Sequence, residues 1–62
     1  MTVEIGCGRK ITATKDVLNE LSMYAELASE NYARREYPNL AEKARDVSRA
    51  IYYCLLETGY YD

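Results

Sequence analysis

A chain of 62 residues, 48% hydrophobic and 29% charged, has enough apolar material to fold and room for one small domain, residues 1–62. Its formal net charge of −2 offers phosphate backbones no long-range attraction, and no apolar run approaches the ~20 residues that cross a bilayer. With no histidine and two cysteines it lacks the usual general base and cannot complete a zinc site alone, so no enzyme, metal, cofactor or small-molecule substrate is expected.

Residues 1–13 predict a β-hairpin. Thr2 to Ile5 alternate, which turns Val3 and Ile5 to one side of a strand, and Ile11 with Thr12 belongs to the return strand. Gly6 and Gly8 supply the positive φ that a tight reversal needs. A two-stranded hairpin is marginal alone, so the Val3, Ile5 and Ile11 face must rest on something else.

Within that turn "VEIGCGRK" resembles the cofactor loop of class I methyltransferases, in which a strand feeds a glycine-rich turn and a helix follows at once. The likeness breaks at three points. Lys10 stands where the third glycine would fall, "ITAT" continues as a strand, and the chain has no room for the many-stranded sheet. Gly8 does not lead into a phosphate loop either, since the spacers and the final Gly-Lys-Ser/Thr are missing. The stretch therefore reads as a turn with Arg9 and Lys10 solvated. Cys7 and Cys54 read as separate small apolar side chains, because a bridge between them would need an oxidising compartment.

From residue 15 the period becomes helical, and a first helix is predicted over 15–36. Val17, Leu18, Leu21, Tyr24, Ala25, Ala28 and Tyr32 fall within one apolar stripe. Thr14 is a suitable N-cap, Asp16 lies where the helix dipole favours an anion, and Pro38 forces Tyr37 out of helical geometry. A second helix is predicted over 40–58, with Asn39 and Glu42 in a capping box and Gly59 at the left-handed position that ends a helix. Its stripe is Leu40, Ala44, Val47, Ile51, Cys54, Leu55 and Thr58. A connection this short makes the helices antiparallel. The expected fold is α+β in the order ββαα, the β-hairpin packed on the helical hairpin. The alternative is an extended N-terminal arm on a helical hairpin that pairs into a four-helix dimer.

Outside the stripes, helical spacing gathers Arg45, Arg49, Tyr52 and Leu56 on one face of the second helix, with Tyr53 at its margin. Tyrosine and arginine on an exposed face are the types enriched at binding hot spots. The competing arrangement lays the β-hairpin over Tyr52 and Leu56 as a second small core. Met23 and Leu27 form a similar off-stripe pair on the first helix, and the hairpin cannot cover both places. Glu26 and Glu30, one turn apart, read as a solvated face. Seven tyrosines stand without phenylalanine or tryptophan, a choice that suits rings with one wet edge. Such rings also stack on unpaired bases, which gives a nucleic-acid alternative using Arg9, Lys10, Lys15, Arg34 and Arg35. Glu20, Glu26, Glu30, Glu36 and Glu42 dilute that field. The tail "YYD" is expected to fray, with Tyr60 able to fold back.

The segment "NLAEKARDVSRAIYYCLLETGYYD", with the compact strand-and-helix plan, resembles the short uncharacterised proteins carried on conjugative transposons of Gram-positive bacteria. The resemblance implies a bacterial cytoplasmic accessory protein of mobile DNA and assigns no functional residue. A cytoplasmic location is also expected from "MTVEIGCGRK", which lacks the basic-then-apolar order of a secretory signal. The function expected is that of a small non-catalytic protein-interaction or regulatory module, able to self-associate through its helical faces.

Overall fold

The computed structural model describes residues 1–6 and 8–62. Cys7, and with it any pairing to Cys54, lies outside the described residues. The chain runs β1 (Thr2–Gly6), β2 (Arg9–Thr12), α1 (Lys15–Arg34) and α2 (Pro38–Glu57), the expected ββαα order.

β1 and β2 pair antiparallel, Thr2 opposite Thr12, Val3 opposite Ile11 and Glu4 opposite Lys10, before the register shifts to put Gly6 opposite Arg9. The ladder extends to the Met1–Ala13 pair, where the Ala13 amide donates to the Met1 carbonyl at 3.0 Å. Thr2 and Thr12 link their hydroxyls at 2.8 Å. Gly6 and Gly8 take φ of 111° and 79°, values that a residue with a Cβ rarely adopts.

Thr14 caps α1 as expected: its backbone is extended and its hydroxyl accepts from the Val17 amide at 3.2 Å. The helix closes at Arg34, two residues before the expected end. Glu36, at φ 64°, donates its amide to the Ala33 carbonyl, and Tyr37 donates to the Tyr32 carbonyl at 2.9 Å. These two bonds form a Schellman motif, normally built on glycine. The stop thus lies at Glu36, ahead of the proline that was expected to impose it.

α2 begins at Pro38, two residues earlier than expected. Proline suits the first helical position, where its missing N–H would have had no partner and its φ is preset. Tyr37 is the N-cap and makes no side-chain capping bond, so the predicted capping box does not form and Asn39 and Glu42 lie inside the helix. At the other end Gly59, at φ 78°, donates to the Leu56 carbonyl, and Tyr60 donates to the Leu55 carbonyl at 3.2 Å. This second Schellman motif turns the tail back along the helices. The tail does not fray: the Tyr60 hydroxyl donates to Asp16 Oδ1 and the Tyr61 hydroxyl to Asn19 Oδ1, both at 2.7 Å.

Val3, Leu18, Ile51 and Leu55 form the fully buried core, flanked by Ile5, Ile11, Ala13, Leu21, Val47, Cys54 and Tyr60. β1 packs on α2, so the hairpin is docked and neither extended nor laid over Tyr52 and Leu56, which stay 44% and 46% exposed. Away from this core the helices meet through small residues. Buried Ser29 donates to the Ala41 carbonyl and Ser48 to the Ser22 carbonyl, both at 2.9 Å. Ser22 donates to the Asn19 carbonyl at 2.7 Å. Satisfied in this way, the hydroxyls avoid the ~1–3 kcal/mol cost of a buried unpaired polar group.

The inner face of α1 is consequently rotated from the predicted stripe. Leu18, Ser22 and Ser29 are buried, whereas Tyr24 is 62% and Val17 46% exposed. Helices that approach closely leave no space for a tyrosine between them, and serine is admitted because carbonyls of the neighbouring backbone accept its hydrogen.

Candidate functional site

The two interhelical hydrogen bonds fix the relative height of the helices. Ser29 meets Ala41 and Ser22 meets Ser48, so residues midway between these contacts, Glu26 on α1 and Arg45 on α2, sit at one level. Because the inner line of α1 passes through Ser22 and Ser29, Glu26 and Glu30 swing from the outer surface to the edge of the helix interface.

There they border an open groove of about 610 Å³. Its floor is Ser22, Ser29 and Ser48; Asn19, Met23, Glu26 and Glu30 form the α1 wall and Arg45, Arg49, Tyr52 and Tyr53 the α2 wall. Tyr61, brought round by the turn at Gly59, closes one end. Among the described residues, none of the hairpin contributes. Acidic groups thus line one wall and basic groups the other, with aromatic rings and a thioether at the same end.

The rings are coupled. Tyr52 meets Tyr53 edge-on with centroids 5.6 Å apart and lies tilted against Tyr61 at 5.4 Å. Tyr61 meets Tyr60 edge-on at 5.1 Å. Such contacts orient rings beyond what area burial alone does. The Asp16 carboxylate that accepts the Tyr60 hydrogen holds that phenol above its ordinary pKa of 10.0, since ionising it would lose the bond and place a second anion beside the first.

Of the partner-binding residues predicted from sequence, Met23, Arg45, Arg49, Tyr52 and Tyr53 come together in this groove. Leu27 and Leu56 remain exposed, at 56% and 46%, but do not line it; each lies one helical turn from Met23 and Tyr52 respectively. Sequence reasoning missed the acidic wall, Asn19 and Tyr61. The spacing of Ser22 and Ser29, one heptad apart, was the available signal for the first, and Gly59 was the signal for the last.

Of the residues of the nucleic-acid alternative, Arg34 and Arg35 lie at the far end of α1 from Lys15. Lys15 opens α1 and Arg34 closes it, and a helix of 20 residues is about 30 Å long at ~1.5 Å per residue. Arg35 lies beyond Arg34, while Arg9 and Lys10 belong to β2. A second concavity, at the helix–helix turn, is lined by Glu36, Pro38, Glu42 and Asp46 and shares Arg45 and Arg49 with the groove. Among the described residues no three histidine, cysteine, aspartate or glutamate side chains cluster as metal ligands, and no helix is long and apolar enough to cross a membrane.

Fold and groove together define a small α+β protein of ββαα order with an amphipathic interhelical groove on its helical face. Compared with protein-family models, with curated proteins and with solved structures, the chain matches none.

Proposed function

We propose that the chain is a small non-catalytic protein-interaction or regulatory module that binds a protein partner through the groove between α1 and α2. The observation that carries this reading is the groove's composition: Met23, Tyr52 and Tyr53, at 56%, 44% and 57% exposure, stand beside Arg45 and Arg49. Aromatic, methionine and arginine side chains are the types enriched in the anchoring part of protein interfaces. Leu27 and Leu56 extend the apolar surface at its flanks. The resemblance to conjugative-transposon proteins implies an accessory of mobile DNA, and a bacterial cytoplasmic location is part of the same proposal.

The test is a photoreactive phenylalanine analogue at position 53 in cells of a Gram-positive host, with the same group at exposed Lys43 as control. Protein adducts from position 53 and not from position 43, persisting at raised salt, are the expected result. Nuclease-sensitive adducts, or none, would overturn it. Binding that falls steeply with salt would favour the nucleic-acid alternative, because released counterions drive that association.

A further inference from the structure

We infer that the partner in the groove is a second copy of this chain, docked face to face by a two-fold axis lying parallel to the helices. This rests on the interaction reading above and adds the identity of the partner. Three observations support it.

The first is charge. A binder for an acidic wall beside a basic wall must present the same two walls in exchanged positions. A two-fold axis along the helices does this with a second copy, by setting α1 over the partner's α2. The hydrogen bonds Ser29–Ala41 and Ser22–Ser48 hold Glu26 level with Arg45, and such an axis preserves height. Glu26 therefore meets the partner's Arg45, giving a square of alternating charges at one level. On the same register Arg49 is level with α1 near Ser22 and Glu30 with α2 near Ala41, so each adds to the sign of its own wall without an opposite charge at its own height. An axis across the helices would instead oppose α1 to α1 and bring like charges together, which is destabilising.

The second is exposed area. A compact monomer of 7.1 kDa exposes about 4,100 Å² on the usual scaling with mass, whereas this chain exposes 4746 Å². The surplus, roughly 600 Å², approaches the ~800 Å² that each partner commonly buries in a stable interface. The third is shape. The molecule extends 35 × 25 × 15 Å, a slab whose fully buried side chains are Val3, Leu18, Ile51 and Leu55. Stacking two slabs groove to groove encloses Met23 and the tyrosine rings between the two copies and makes an antiparallel four-helix bundle with the hairpins outside.

The experiment is sedimentation of the purified full chain across micromolar concentrations, for the wild type and two charge-reversed double variants. One carries Glu26→Arg and Glu30→Arg, the other Arg45→Glu and Arg49→Glu. The wild type is expected to dimerise, each variant alone to associate at least about tenfold more weakly, and their equimolar mixture to form the heterodimer. Far-UV circular dichroism checks that each folds; should one not, Met23→Ser weakens the same contact without a charge change. A wild type of single-chain mass at every concentration, or a dimer indifferent to every variant, overturns the inference. The photo-adduct at position 53 separates the two levels. Twice the chain's mass supports a second copy; any other protein mass overturns the second copy and retains the interaction module; absence of an adduct overturns both.

Discussion

The Tyr60 hydroxyl reaches Asp16 Oδ1 at 2.7 Å, tying the residue after the Gly59 turn to the first turn of α1. The carboxylate keeps the phenol protonated beyond its ordinary pKa of 10.0. A group whose pKa is higher folded than unfolded contributes stability below the unfolded value and loses it as pH rises through the folded one. Wild type and Tyr60→Phe are therefore expected to differ in urea stability at neutral pH, and the difference to vanish as pH climbs above 10.0. Tyrosinate absorbance provides a second measurement: a component titrating above pH 10.0 in the wild type should be missing in Tyr60→Phe. An unchanged late titration would mean that the bond does not form in solution.

Glu36 occupies a left-handed conformation, φ 64°, that costs a residue with a Cβ about 1–2 kcal/mol. Glu36→Gly is expected to raise stability by about 1 kcal/mol, less whatever backbone freedom glycine adds to the unfolded chain. Near the transition this is a rise of roughly 4–8 °C per kcal/mol in a domain of this size. Thermal unfolding followed at 222 nm checks it. Glu36→Val should move the midpoint down.

Ser29 is 3% exposed and fills the space between the helices while donating to Ala41. Ser29→Ala keeps the volume and loses one hydrogen bond, an expected cost of about 1 kcal/mol. Ser29→Leu must separate the helices and should cost about 1–3 kcal/mol more by overpacking. Chemical denaturation of the pair distinguishes the terms: equal losses would show that the helices have room for a larger side chain at position 29.

Leu18 has no exposed surface and belongs to a four-residue buried core. Leu18→Ala is expected to cost about 2–5 kcal/mol, comparable to the whole stability that a core of this size provides. The variant should be largely unfolded at room temperature, with collapsed dispersion in its proton spectrum. Retention of a cooperative transition near the wild-type midpoint would place most of the stability elsewhere, in the helix interface.

Much of this architecture is legible in the sequence because its signals are local. Thr14 needs only the amide of Val17 to cap, Gly59 needs only its own φ, and alternation from Thr2 to Ile5 is enough to orient Val3. The outer face of α2 is legible for the same reason, since Arg45, Arg49 and Tyr52 follow from helical spacing alone. What escapes is the line of contact on α1. Ser22 and Ser29 are polar by type, so a stripe drawn by hydrophobicity passes them over in favour of Val17 and Tyr24. Ser29 is satisfied only by the Ala41 carbonyl that tertiary packing brings near, whereas Ser22 bonds the Asn19 carbonyl of its own helix and is buried because α2 covers it. The acidic wall goes unnoticed with them, because Glu26 and Glu30 border the groove only once the helix has that rotation. The start of α2 escapes through a competition between two helix-start signals, in which Pro38 at the first position prevails over Asn39 as a cap.

The route of the tail bears on handling the protein. Asp62 follows Tyr61, whose ring closes one end of the groove, so any affinity handle or fluorescent fusion appended after Asp62 would emerge beside that end and, on the proposed function, compete with the partner. Met1 pairs with Ala13 on the hairpin, none of whose described residues lines the groove. Labels placed there leave it free.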